Sequence, residues 1–255
     1  DNSSVFPDSY KSYINTLKAL HPNWIFKAVY TNLDWNTVLR HETYEVNRGI
    51  STVPDTYPDA WKLNNTNDGN YVDGNFVVAS KEAVAYCLDP RNFLNEKEVF
   101  QFETLSYSEA NSNLDTIDKF LASTVMGTDA YKNKYKNNGS WIQMNKTYSQ
   151  IIKEAGNESQ VSPIYIASRI KQETSGNIAN NLSINGSYPG LEGVYNFYNI
   201  GATPNVDGTG SIANGLIRAK NEGWTTPELS IKGGINIIKN SYIKWGQDTV
   251  YFQKF

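Results

Sequence analysis

The chain has 255 residues, 39% of them hydrophobic and 19% charged, with a formal net charge of −3. That length buries a sizeable core, as one large domain or two packed lobes, and the near-neutral charge excludes a strongly cationic nucleic-acid binder. No run of about 18 or more apolar residues is present, so no membrane span is expected.

The first element is an amphipathic helix marked by Tyr10, Tyr13, Ile14, Leu17 and Leu20, and it stops at His21-Pro22 because the residue before proline leaves the helical region. Trp24, Phe26, Ala28 and Tyr30 alternate with Ile25, Lys27 and Val29, the pattern of a short strand. A helix over about 36–47 follows Asp34 as its cap. Residues 49–75, with prolines and many Asn, Asp and Gly, read as a long loop anchored by Trp61. Ser80 starts a helix that halts at Asp89-Pro90, and further helices are expected at 95–102 and within 109–123, the latter on Leu114, Ile117 and Leu121. The polar run YKNKYKNNGS, 131–140, is the best candidate for a lobe boundary, which gives a helical N-terminal lobe over 1–140 and a second lobe over 141–255. Helices at 148–155, Pro163–Thr174, 211–222 and 227–243 then surround a stretch, 177–210, rich in Asn, Gly and Ser.

Several chemistries drop out on residue type and spacing. His21, His41 and Cys87 make no metal-ligand pattern, and neither a nucleophile elbow nor a phosphate-binding loop is present, so no metal or cofactor is expected. Cys87 lies in the apolar run AVAYCLDP and reads as a small core hydrophobe that has no disulfide partner in the chain. The opening DNSSV, with no methionine or leader, reads as a mature fragment or an excised module.

The most informative segment is SPIYIASRIKQETSG. Ser162 is a good N-cap, Pro163 suits the first helical position and Gly176 is a plausible stop. Pro163, Ile166, Ala167, Ile170 and Glu173 share one face, so the stripe that buries the helix ends in a carboxylate. An acid in the last turn opposes the helix dipole, a local rule broken in the way functional sites break them. On the helix alone, a solvated glutamate at a fraying end fits the same pattern. Glu192, nineteen residues on, is the best second carboxylate; it could activate water, stabilise positive charge, hold sugar hydroxyls or be solvated.

SRIKQETSG, YPGLEGVYNFYNIGA and WGQDTVYFQKF resemble the peptidoglycan N-acetylglucosaminidases of glycoside hydrolase family 73. HPNWIFKAVYTNLDW and LDPRNFLNEKEVFQFE resemble the region before the core in the long catalytic modules of clostridial and related Gram-positive autolysins. The resemblance implies a mainly α fold with a small β element: a lysozyme-like core, 141–255, extended by the helical N-terminal lobe, with a substrate cleft between lobes. It implies an endo-β-N-acetylglucosaminidase that hydrolyses the β-1,4 bond between N-acetylglucosamine and N-acetylmuramic acid. Glu173 matches the family's catalytic glutamate. Substrate assistance by the 2-acetamido group is also permitted, so one essential acid is preferred and the role of Glu192 stays open.

In the aromatic loop, alternation would set Tyr195 and Phe197 on one side and Asn196 and Tyr198 on the other. One side can pack in the core while the other lines the groove, and the resemblance implies sugar-binding roles among Tyr195, Asn196, Tyr198 and Asn199, joined by Gln247 and Tyr251 from the closing phrase, with Tyr242 and plain packing as alternatives for the tyrosine. Shorter relatives have glycine where Asn199 stands, as the long clostridial type does not. Competing readings are a lytic transglycosylase that leaves 1,6-anhydro-muramic ends and a non-catalytic wall-binding module. The expected setting is a secreted, cell-wall-associated monomer whose partner is the glycan strand of peptidoglycan.

Overall fold

The computed structural model describes residues 5–46, 51–63, 71–206, 208 and 210–255. The chain forms two compact units, residues 1–103 with 254–255, and Thr104–Gln253.

In the first unit, α1 (Asp8–Leu20) buries Ile14 and Leu17 and ends where His21 leaves helical geometry. The segment 24–33 is not a strand: it has no ladder partner among the described residues, and alternation alone does not supply one. α2 (Trp35–His41) is capped by Asp34, whose carboxylate accepts from the Thr37 N–H at 2.8 Å. It is shorter than expected, and the far end of the expected helix, Asn47, lies outside the described residues. The supposed loop at 49–75 contains two strands, β1 (Thr52–Pro54) and β2 (Tyr71–Asp73), which flank β3 (Phe76–Val78) in an antiparallel sheet of order β1-β3-β2; residues 64–70 lie outside the described residues. Strands of three residues hold too little pattern to stand out from a Pro- and Asn-rich background. α3 (Lys81–Leu88) is capped by the Ser80 hydroxyl and stops before Pro90, and its Ala83, Val84 and Leu88 pack with Leu39, Val53 and Val77 as the unit's core. The helix expected at 95–102 is reduced to one tight turn, Val99–Phe102.

The second unit opens with α4 (Leu114–Leu121), capped by Asn113 and buried through Ile117 and Leu121. The polar run at 131–140 is not a lobe boundary. It leads into a hairpin of β4 (Lys134–Asn137) and β5 (Ser140–Gln143), with Lys136 opposite Trp141. Asn138 and Gly139 both adopt positive φ, 44° and 83°, the pair of left-handed residues a two-residue hairpin turn needs. Polar composition suggests a boundary here; the Asn-Gly pair makes it a turn.

α5 (Tyr148–Ser159) begins with a capping box between Thr147 and Gln150. α6 (Pro163–Thr174) follows Ser162, then an irregular excursion leads to α7 (Ser211–Asn221), α8 (Pro227–Ser241) and the short α9 (Val250–Lys254). Ile151, Ile152 and Ala155 of α5 meet Ile166, Ala167 and Ile170 of α6 and Ile231, Ile235 and Ile238 of α8 in one core. A lysine–glutamate lattice crosses from α5 to α8: Lys232 reaches Glu158 at 2.8 Å and Glu228 at 3.0 Å, while Lys146 reaches Glu154 at 2.6 Å and Glu228 at 3.0 Å. The architecture is mainly helical with two small antiparallel sheets. No helix among the described residues is long and apolar enough to cross a membrane.

Candidate active site

The site grows out of the end of α6. Pro163, Ile166, Ala167 and Ile170 are buried, and Glu173 continues their stripe to the surface with its side chain 25% exposed. The helix then turns sharply: Ser175 and Gly176 both take positive φ, 56° and 57°, and the Ser175 N–H donates to the Lys171 carbonyl at 2.8 Å. The chain leaves the helix at once, so Glu173 sits on a terminus rather than midway along a packed face.

Glu173 opens onto a cavity of about 660 Å³. One wall is Asn180, Asn181, Leu182 and Ser183; the other is Asn199 and Ala202, with Ser211 and Ile212 from the start of α7. The Asn181 amide donates to the Thr174 carbonyl at 3.3 Å and its oxygen accepts from the Ser183 N–H at 2.9 Å, which anchors the first wall to the end of α6. Asn199, at φ 51°, uses its amide nitrogen to donate to the Glu173 backbone carbonyl at 2.9 Å and lies 3.5 Å from Oε2 of the carboxylate. On the other side, the Arg169 guanidinium is 3.0 Å from Glu173 Oε1.

Of the residues expected from sequence, Glu173 and Asn199 meet at this cavity and the others lie elsewhere. Tyr195 is fully buried, donates its hydroxyl to the Lys136 carbonyl at 2.8 Å and meets Tyr135 edge-on; burial pushes its phenol well up. Asn196 is 1% exposed and bonds only to protein backbone: its nitrogen donates to the carbonyls of Ile200 and Gly215, each at 2.9 Å, and its oxygen accepts from the Ile200 N–H at 3.0 Å. Tyr198 is buried and donates to the Ile231 carbonyl at 3.0 Å. These three are structural. Alternation requires a strand with two faces, whereas the loop is a series of turns whose side chains are taken up by β4 at Tyr195, α7 at Asn196 and α8 at Tyr198.

Glu192 is exposed, does not line the cavity and accepts from the Gly190 N–H at 3.0 Å; hydrogen bonds from its own backbone N–H and from that of Gly190 hold its carboxyl below the usual range. Gln247 donates to the Phe252 carbonyl at 2.9 Å and closes the chain end on itself. Tyr251 stacks edge-on with Phe252, and neither Tyr251 nor Tyr242 lines the cavity. Sequence reasoning did not single out Asn180, Leu182, Ser183, Ala202, Ser211 or Ile212. The usable signal was the density of asparagine just after the glutamate, in NIANN.

The walls can hold a polar, uncharged ligand. Amides from Asn180, Asn181 and Asn199 offer donors and acceptors, Leu182 and Ile212 offer apolar surface, and one carboxyl group is available to exchange a proton.

No family model matches the chain. A beta-N-acetylglucosaminidase of Bacillus subtilis (strain 168) is 32% identical over 183 residues, covering 68% of this chain and 17% of that protein. A bifunctional autolysin of Staphylococcus epidermidis is 26% identical over 226 residues, covering 75% of this chain and 16% of that protein. The chain thus spans about one sixth of the length of these relatives. Among solved structures, S. aureus glucosaminidase B matches with a TM-score of 0.50 at 24% identity, covering 72% of this chain and 69% of that one, a likeness of fold. These relatives are from Bacillus and Staphylococcus and lend no support to a specifically clostridial type. The chain is similar, at modest identity, to a segment of bacterial glucosaminidases and autolysins.

Proposed function

We propose that this chain is a peptidoglycan endo-β-N-acetylglucosaminidase module that hydrolyses the β-1,4 bond between N-acetylglucosamine and N-acetylmuramic acid at the cell wall. The observation that carries the reading is a single carboxyl group, Glu173, set at a helix end against an asparagine-lined cavity of about 660 Å³. The likeness to a glucosaminidase over 68% of the chain supports the same assignment.

In this mechanism Glu173 protonates the glycosidic oxygen as the C1–O bond breaks, then takes a proton from the water that attacks C1. The amides of Asn180, Asn181 and Asn199 hold the sugar, and Leu182 and Ile212 meet its apolar face. Glu192 is given no step. The positive charge that develops at C1 is met by the substrate's own acetamido oxygen, one of the known exceptions to the two-carboxylate scheme.

The test is digestion of purified peptidoglycan by wild type and Glu173→Gln, with mass spectrometry of borohydride-reduced fragments and circular dichroism to verify folding. Reduced N-acetylglucosamine ends from wild type, absent with a folded Glu173→Gln, are expected. Anhydro-muramic ends would instead make the module a lytic transglycosylase. Absence of any cleavage by folded wild type would leave a wall-binding module.

A further inference from the structure

The ion pair at the edge of the cavity is more specific than a surface pair. Arg169 lies one helical turn before Glu173, and its terminal nitrogen is 3.0 Å from Glu173 Oε1. A second terminal nitrogen donates to the Gln172 side-chain oxygen at 3.2 Å. The Nε of the same guanidinium is buried and has no hydrogen-bond partner among the described residues. An exposed i, i+4 pair keeps its side chains in water and gains little from meeting. Here one N–H has been taken out of water without an acceptor, which is unfavourable, and the head group is held against a single oxygen of Glu173.

The two oxygens of Glu173 are therefore not equivalent. Oε1 faces a guanidinium, a group that only donates hydrogen bonds, so a carboxyl proton cannot sit between them. Among the described residues Oε2 accepts only a longer hydrogen bond, 3.5 Å from the Asn199 amide nitrogen, whose shorter bond at 2.9 Å goes to the Glu173 backbone carbonyl, so Oε2 is the less tightly held oxygen. We propose that Arg169 is a positioning residue that pins Oε1 and so makes Oε2 the atom that delivers the proton to the substrate. The inference rests on Glu173 being the acid of the proposed reaction. In the balanced step, the Oε2–H bond breaks as the glycosidic oxygen gains the proton and its bond to C1 is lost. Oε2 then recovers a proton from the attacking water, whose oxygen becomes the new hydroxyl on C1. Arg169 neither gains nor loses a proton in this sequence.

The experiment measures kcat and KM on soluble glycan strands for wild type, Arg169→Met, Arg169→Lys, Glu173→Gln and the Arg169→Met/Glu173→Gln double variant, each verified as folded by circular dichroism. Loss of one charge-assisted hydrogen bond predicts a fall in kcat of about 10- to 100-fold in Arg169→Met, with KM within about twofold. Arg169→Lys restores a point charge without the guanidinium fork and is expected to recover part of that loss, with kcat still below wild type. In the Glu173→Gln background, Arg169→Met should lower the residual rate no further. If Arg169→Met does not fold, the Arg169→Lys kcat carries the test, expected below wild type at unchanged KM. Wild-type kcat in Arg169→Met or Arg169→Lys, or a change confined to KM, would overturn the inference while an inactive Glu173→Gln leaves the acid in place. Full activity in Glu173→Gln would overturn the acid assignment, and the role of Arg169 with it.

Discussion

Asn196 separates a residue that holds the loop from one that holds sugar. Replacing it by alanine removes three hydrogen bonds, two donated to the carbonyls of Ile200 and Gly215 and one accepted from the Ile200 N–H. The Gly215 carbonyl lies within α7 and serves the helical ladder as well, so the loss falls mainly on the two backbone groups of Ile200. At about 1–1.5 kcal/mol for each group left short of a partner, the change costs about 2–3 kcal/mol. In a unit of this size that is a fall in Tm of roughly 5–10 °C. Asn196→Asp should do worse than alanine, since it forfeits both donors and places a charge where the side chain is 1% exposed. Thermal melts followed by near-UV circular dichroism give the stability, and glycan-strand kinetics well below Tm give KM. An unchanged Tm with a raised KM would refute the structural reading and return Asn196 to the sugar.

Three further outcomes follow from geometry already described. A Cβ on Gly234 would sit 2.2 Å from the Tyr198 ring, so Gly234→Ala should destabilise by about 1–3 kcal/mol in urea melts despite its better helix propensity; added stability would mean the ring has room to shift. Burial raises the Glu228 carboxyl, but hydrogen bonds and charge from Lys146 and Lys232 outweigh it and hold the group below its usual value of 4.5. Its contribution to stability is therefore present above that pH and lost as pH falls through the lower folded value, and Glu228→Gln should flatten the stability profile below about pH 4.5, as urea midpoints across pH would show. Glu192→Gln should keep peptidoglycan cleavage within about threefold of wild type, since the carboxylate serves an exposed turn; a loss of 100-fold or more would make it a second catalytic group.

Legibility followed the range of the interactions. α6 could be read from its cap, proline, stripe and final carboxylate because all of these act within a few residues of one another. The R-x-x-x-E spacing of Arg169 and Glu173 is equally local. Asn199 was reached through resemblance and lies at the cavity; its neighbours Tyr195, Asn196 and Tyr198 were read the same way and are held in the interior by partners at Lys136, Gly215 and Ile231, far off in the chain. Likewise β1 and β3 pair across a long separation, while Trp24 to Tyr30 has the alternation of a strand and no ladder partner among the described residues.

The excursion after α6 is pinched twice: the Asn196 N–H donates to the Ser183 carbonyl at 2.7 Å, and the Gly193 N–H to the Gly186 carbonyl at 3.0 Å. Inside the inner pinch only the tip 187–192 remains; Ser183 of the cavity wall forms the outer pinch, and Glu173 with the other wall residues lies beyond it. The tip is thereby separated along the chain from the reacting group, although Tyr188 and Leu191 still pack against the cluster that contains Leu216 and Ala219 of α7. Doubling its length would add only about 0.6 kcal/mol of closure entropy, so this is where lineages or engineers could graft new segments while the acid keeps its setting.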